Sequence, residues 1–177
     1  MSRSEQPSVL ILDATVLSNF SSSDSIPWLI LAFAAPETVP AVRRELRRGV
    51  ENGHEFLRSV VRAIDDDRIP TFDPADELVT EVEYSYAYER LDPGEAEAFV
   101  VAEQTDETLV TDDLAARRLA DDYDVAKTGS IGLLVNGIVN DEISVETADT
   151  WLDRWRRERD YYAPVESVAE ALPDDSE

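Results

Sequence analysis

The sequence predicts an α/β domain built on a parallel sheet, and three observations carry the prediction. Residues 9–12, Val-Leu-Ile-Leu, form an unbroken apolar run without the polar alternation of a half-solvated strand, which marks a strand buried on both faces. Residues 108–111 make another apolar strand, and both runs end on acid, Asp13 in the first case and Asp112-Asp113 in the second. Between and after them lie segments with helical spacing, so strands alternate with helices as parallel β-α-β units require.

At 177 residues the chain is most simply one domain, large enough to bury roughly 70% of its unfolded surface. Hydrophobic residues make up 43% of it, ample for a core. The unusual quantity is charge: 16 Lys and Arg against 39 Asp and Glu, a net −23, with Lys127 the only lysine. Self-repulsion at that charge destabilises a compact state in dilute buffer, whereas at about 1 M salt the screening length falls to about 3 Å. A protein suited to a salt-rich, halophilic cytoplasm is therefore expected. The apolar periodic segments exclude a disordered acidic chain. The absence of cysteine removes disulfides, thiolate nucleophiles and cysteine zinc sites. Residues 1–7 read as a disordered tail without signal-peptide character, and the apolar run at 26–36 is too short to span a bilayer, so a soluble protein with no membrane association is expected.

In chain order, residues 14–20 form a helix that Asp13 either caps or leaves free to serve a site at the strand's carboxyl edge. Residues 26–35 make an apolar helix opened by Pro27, expected as buried wall, and Pro36 and Pro40 bracket a short extended piece. The helix at 41–50 puts Val42, Leu46 and Val50 on one face with Glu45 beside them, either in a weak pair with Arg48 or in a site. Residues 55–64 read as a helix, 68–72 as a strand, and 76–89 as a helix with Leu78, Val82 and Tyr86 as its apolar row. Asp92-Pro93-Gly94-Glu95 combines an N-cap, a first-turn proline and an acid at the third position, and Glu97 points away from Glu95. A helix at 114–121, a strand at 124–127 and a helix at 131–139 follow; Thr128 and Ser130 at the last helix start either cap it or meet a phosphate. Residues 145–162 form a charged helix carrying Trp151, Leu152 and Trp155, which pack on the core or form a partner surface. A short helix lies within 164–172 and an acidic tail at 173–177.

Asp13 and Asp112 or Asp113 end strands that right-handed crossovers would bring to one sheet edge, and Glu45 and Glu95 sit near helix starts opening onto it. At this point the chain resembles the PIN-domain nucleases, especially the toxins of toxin–antitoxin pairs. The resemblance rests on the strand into Asp13-Ala14-Thr15-Val16-Leu17-Ser18-Asn19, Glu45-Leu46, Gly94-Glu95-Ala96-Glu97-Ala98, Leu109-Val110-Thr111-Asp112-Asp113 and Thr128-Gly129-Ser130-Ile131-Gly132. It implies a three-layer α/β/α sandwich around a mostly parallel sheet, a single domain over residues 8–172 with C-terminal helices from about 145, and a metal-dependent endoribonuclease. Carried over by position, Asp13, Glu95 and either Asp112 or Asp113 would be the Mg²⁺ or Mn²⁺ ligands with Glu45 as a further acid of the site, and Thr15 or Thr111 would orient a carboxylate or water.

The residue types agree with that chemistry. Clustered carboxylates repel and raise one another's pKa unless a cation neutralises them, and hard oxygen ligands suit Mg²⁺ or Mn²⁺. Such a site needs no histidine base, and His54, the only histidine, reads as a surface or packing residue, so no Ser–His–Asp hydrolase is expected. Arg43, Arg44, Arg47, Arg117 and Arg118 are the candidates for positioning phosphates of an RNA substrate, since a −23 chain in strong salt gains little from counterion release. A small antitoxin is the expected protein partner and a homodimer is open. Two competing readings are a PIN-like protein that binds without cutting, and a phosphatase or flap-type DNA nuclease.

Overall fold

Strand β1, Leu10–Leu12, is buried at all three positions, and the computed structural model, which describes residues 8–74 and 77–174, centres the sheet on it. Its neighbours are β2 (Pro36–Glu37) and β3 (Thr108–Val110), and β4 (Lys127–Thr128) lies beyond β3. All pairings are parallel, with Leu10 opposite both Pro36 and Thr108, Leu12 opposite Val110, and Leu109 opposite Lys127.

The order β2-β1-β3-β4 has a functional consequence. The step from β1 to β2 runs one way across the sheet and the step from β3 to β4 runs the other. Right-handed crossovers then place α1 (Ala14–Ser22) and α2 (Ile26–Ala32) on one face and α8 (Leu114–Asp122) on the opposite face, which gives a three-layer α/β/α sandwich. The reversal falls between β1 and β3, and in such sheets the ligand crevice opens beyond the strand ends at that switch point. Asp13 follows β1 there, and Thr111, Asp112 and Asp113 follow β3.

Between β2 and β3 the chain makes α3 (Pro40–Glu51), a 3₁₀ turn at Glu55–Leu57, α4 (Arg58–Asp65), α5 (Glu77–Glu83), α6 (Ser85–Arg90) and α7 (Pro93–Thr105). After β4 come α9 (Ser130–Val139), α10 (Val145–Arg159) and a 3₁₀ turn at Val168–Ala171. Helix α7 is the innermost: every residue from Gly94 to Ala102 except Glu95 is buried, and its small side chains let it lie against β1 and β3.

Several expected elements change. The strand at 68–72 reduces to one bridge between Thr38 and Thr71, because Pro70 has no N–H to give and only accepts, from Thr38 at 3.0 Å. Helix α2 stops at Ala32, where Phe33 turns extended, and buries Ile26 and Leu29 while leaving Leu31 87% exposed, so it is wall on one side only. The helix at 76–89 is broken at Tyr84; Asp76 and the Leu78 side chain lie outside the described residues, Val82 is 80% exposed, and the buried row is Thr80, Tyr84 and Ala87. The last strand shifts from 124–127 to Lys127–Thr128. Residues 1–7 and 175–177 of the expected tails lie outside the described residues.

Helix α10 ends at Arg159, with Asp160 in the left-handed region at φ 49°. Trp155 is fully buried, donates from Nε1 to the Ser23 hydroxyl at 3.0 Å and meets the Phe20 ring edge-on at 5.0 Å. Leu152 is buried with it, and half-exposed Trp151 packs on Trp28 at 5.3 Å. The Leu152–Trp155 pair is thus core, and it clamps α10 onto α1, so that the last turn of α10 reaches the carboxyl edge of the sheet.

Candidate active site

Asp13 has both of the roles its position allows. It is the N-cap of α1, its Oδ1 accepting the Val16 N–H at 2.9 Å, while Oδ2 accepts the Thr111 hydroxyl at 2.5 Å from the adjacent strand end. The residue is 1% exposed, and burial lifts its carboxyl from 3.8 to about 7. The Thr111 and Val16 hydrogen bonds pull the other way, and the charges of Asp112 and Glu95 add to the rise.

Thr111 joins the two strand ends. Besides donating to Asp13, its hydroxyl accepts the Asp113 N–H at 3.1 Å. Asp113 caps α8 by accepting the Ala116 N–H at 2.8 Å, which fixes one of its oxygens. Asp112 faces the start of α9, where Ser130 gives it both donors, the backbone N–H at 2.8 Å and the hydroxyl at 2.5 Å, and the Asn19 amide approaches at 3.5 Å. The exposed N–H groups of a helix start favour an anion, and here the anion is Asp112. Gly129 is required for this approach, since a Cβ there would lie 2.5 Å from Asp112 Oδ1 and 3.2 Å from the Thr111 carbonyl.

Glu95 enters from the first turn of α7, in the capping box with Asp92 that its sequence spells, accepting the Asp92 N–H at 3.3 Å. Burial, then Asp113, Asp92 and Glu45, lift its carboxyl to about 7 despite that hydrogen bond. Glu45 lies on exposed ground on α3; partial burial and Asp92 raise it and Arg48 lowers it. Gly94 leaves it room, because a Cβ there would come 3.0 Å from Glu45 Oε2. Asp13, Glu95, Asp112 and Asp113 therefore share one electrostatic neighbourhood, and Glu45 joins it through Glu95.

A groove of about 800 Å³ opens over these acids, lined by Thr15, Asn19, Glu95, Asp112, Asp113 and Arg117 at its polar end. Asp13 lies buried and lines neither this groove nor the smaller pocket of about 360 Å³ beside it. The donor set is entirely oxygen, which fits a hard divalent cation, and two carboxyls held near 7 are groups that a bound cation would bring back to the ionised form. Among the described residues no three His, Asp or Glu side chains are drawn together closely enough to hold an ion.

The residues expected to meet substrate or to orient an acid lie at different depths. Ser130 is fully buried and gives its donors to Asp112, so it positions a carboxylate and is closed to phosphate. Thr111 is likewise buried and orients Asp13. Arg44 lines neither cavity; it stands 3.8 Å from Glu97, which is buried against α3 and not on the groove. Arg117 does line the groove, anchored by its donation to the Thr111 carbonyl at 3.0 Å, and Thr15 lines both cavities.

Three site residues carry no clear sequence signal. Asn19 donates to the Ser130 hydroxyl at 3.1 Å and accepts from Arg159 Nε at 2.9 Å, joining α1, α9 and α10. It stands six residues after Asp13, about 120° round the helix from it, and its side-chain partners lie more than 90 residues away. Arg159 is one of several arginines on α10, and only packing selects it. Tyr161 lines the groove beside Asp112, and burial followed by that carboxylate raises its phenol.

In comparison with known proteins, a family model for the PIN domain matches residues 9–177. No curated protein and no solved structure matched the chain. Among the described residues no helix is long and apolar enough to cross a membrane.

Proposed function

This chain belongs to the PIN-domain family, a family of nuclease folds, and from that premise we propose that it is a Mg²⁺- or Mn²⁺-dependent endoribonuclease, the toxin of a toxin–antitoxin pair in a salt-rich cytoplasm. The observation that carries the reading is the convergence of Asp13, Glu95, Asp112 and Asp113 at the switch point of the sheet, with two of the four carboxyls lifted to about 7. Carboxyls that burial and neighbouring charges lift to about 7 are unfavourable in their ionised form in the free protein, and a cationic cofactor is the simplest reason to keep them.

Asp13, Glu95, Asp112 and Asp113 would hold the ion. Bound there, Mg²⁺ or Mn²⁺ supplies a water of lowered pKa and charge stabilisation for an in-line displacement on phosphorus. Thr111 keeps Asp13 aimed from beneath, and Ser130 and Asn19 do the same for Asp112. Arg117 and Thr15 line the groove where a phosphodiester would lie. Water oxygen would bond to phosphorus as the ester P–O bond breaks, the water's proton passing to a carboxylate of the cluster and the departing ribose oxygen taking up a proton from solvent. Glu95, on the groove wall with its carboxyl lifted to about 7, is placed to take it, and Glu45 lies next to Glu95. Exposed Leu114 and Tyr162 on the groove rim offer an apolar seat to a small antitoxin.

The open spacing of the acids favours the second reading, a PIN fold that binds nucleic acid without cutting it. Offering single-stranded RNA, flapped DNA and a phosphomonoester in molar KCl, with Mn²⁺ or with chelator, separates the two. Cleavage confined to RNA and abolished by chelator is expected. Binding of RNA without cleavage at any Mg²⁺ or Mn²⁺ concentration would establish the second reading.

A further inference from the structure

Beside the groove lies a smaller pocket of about 360 Å³, within the roughly 300–1,000 Å³ range of small-molecule sites, and Thr15 and Arg159 stand in the walls of both cavities. Its other walls include Glu45, Asn52, His54 and Phe56. The acids that would cut a phosphodiester thus have, on one side, a pocket that joins the His54 and Phe56 rings to charged walls, with Arg48 inside it and Arg159 at the boundary.

The boundary residue is unusual for this protein. The chain holds 39 acids, yet half-buried Arg159 pairs with none of them among the described residues; its one hydrogen bond goes from Nε to the neutral Asn19 carbonyl at 2.9 Å. Its guanidinium carbon lies over the Phe56 ring, 5.4 Å from the centroid, a cation–π contact. With Nε occupied and one face covered, the two terminal nitrogens remain for an anion, in the planar arrangement that suits phosphate. A half-buried cation without a carboxylate partner, set in the wall of a pocket, points to an anionic ligand. Next to it, the exposed His54 ring stands edge-on to Phe56 at 6.0 Å, a platform of the kind on which bases of single-stranded nucleic acid stack.

We propose that this pocket is a nucleobase subsite: the base of the nucleotide adjoining the scissile phosphate lies against His54, and the terminal nitrogens of Arg159 hold the phosphate between that base and the acids. The proposal rests on the nuclease reading for the identity of the ligand and extends it from a cutting site to a site that grips a single unpaired nucleotide.

His54 is the only histidine, so its imidazole gives one set of NMR signals and reports on this pocket alone. The protein is titrated with 5′-AMP, 5′-UMP and inorganic phosphate in molar KCl without divalent ions. Saturable shifts of the His54 signals with both nucleotides, absent with phosphate, are expected. R159Q should weaken nucleotide binding about tenfold, the loss of a charge-assisted hydrogen bond. H54A, on an exposed residue, should weaken 5′-AMP by calorimetry about tenfold while leaving phosphate unchanged, so the outcome does not depend on how R159Q folds. Unmoved His54 signals, or equal shifts with phosphate, would overturn the subsite. RNA cleavage by the same preparation is scored separately: cleavage with silent His54 signals refutes the subsite alone, and His54 shifts without cleavage support the subsite and refute the nuclease reading alone.

Discussion

Replacing Asp13 by Asn should stabilise the free protein above neutral pH. Burial is the chief reason that the folded carboxyl is raised from its ordinary 3.8 to about 7. Its neutral form therefore favours the fold fully below about pH 4, and that stability is lost as pH rises to about 7. The interval corresponds to about 4 kcal/mol at pH 8, and about 2 to 3 kcal/mol of it is lost between pH 5 and pH 8. Asparagine removes the ionisation and still caps α1 with its carbonyl toward Val16, but its amide cannot accept the Thr111 hydroxyl, which costs about 1 kcal/mol. The net gain of the variant at pH 8 is then about 3 kcal/mol, shrinking to about zero or a small loss near pH 4. Urea unfolding in molar KCl with chelator measures this without changing ionic strength. A difference between Asp13→Asn and the parent that is flat from pH 4 to pH 8 would show that Asp13 is not held as an uncompensated buried acid.

Glu95→Gln should lower divalent-ion affinity at least tenfold by calorimetry, because Glu95 lines the groove, whereas Glu97→Gln should leave it within about twofold, because Glu97 faces Arg44. Ser130→Ala should lower kcat on RNA about 10- to 100-fold with KM nearly unchanged, as expected for a buried residue that aims Asp112; a KM effect alone would make it a substrate contact. Moving from molar to millimolar KCl should lower Tm by about 10 °C or more, since 39 acids face 16 basic residues; a flat Tm would remove the salt-adaptation argument.

The parts of this site that were legible in the sequence are those determined locally. Residues 9–12 and 108–111 read as strands because short, largely apolar runs end there on acid, and the observed strands Leu10–Leu12 and Thr108–Val110 lie within them. The Asp92–Glu95 capping box was spelled by four consecutive residues. What was illegible depends on tertiary contact. Ser130 reads as a cap or a phosphate donor until Asp112 is seen seated on its N–H and hydroxyl. Arg44 and Arg117 look equivalent in a string of arginines, and only the packing of α3 and α8 separates the one beside Glu97 from the one in the groove. Arg159 reaches the site because Leu152 and Trp155 lock α10 onto α1, a contact across more than 130 residues. The strand expected at 68–72 failed for a local reason that was visible, the missing N–H of Pro70.

The central claim is that the acids at the strand ends hold a metal ion for hydrolysis of RNA. The rate of RNA cleavage by the parent protein and by Asp13→Asn, each at saturating Mn²⁺ in molar KCl and each confirmed folded, tests it most directly. The account predicts a fall of about 100-fold or more in the variant, with thermal stability in chelator equal to or above that of the parent. Cleavage by Asp13→Asn at the parent rate, or cleavage by the parent that persists in chelator, would contradict it.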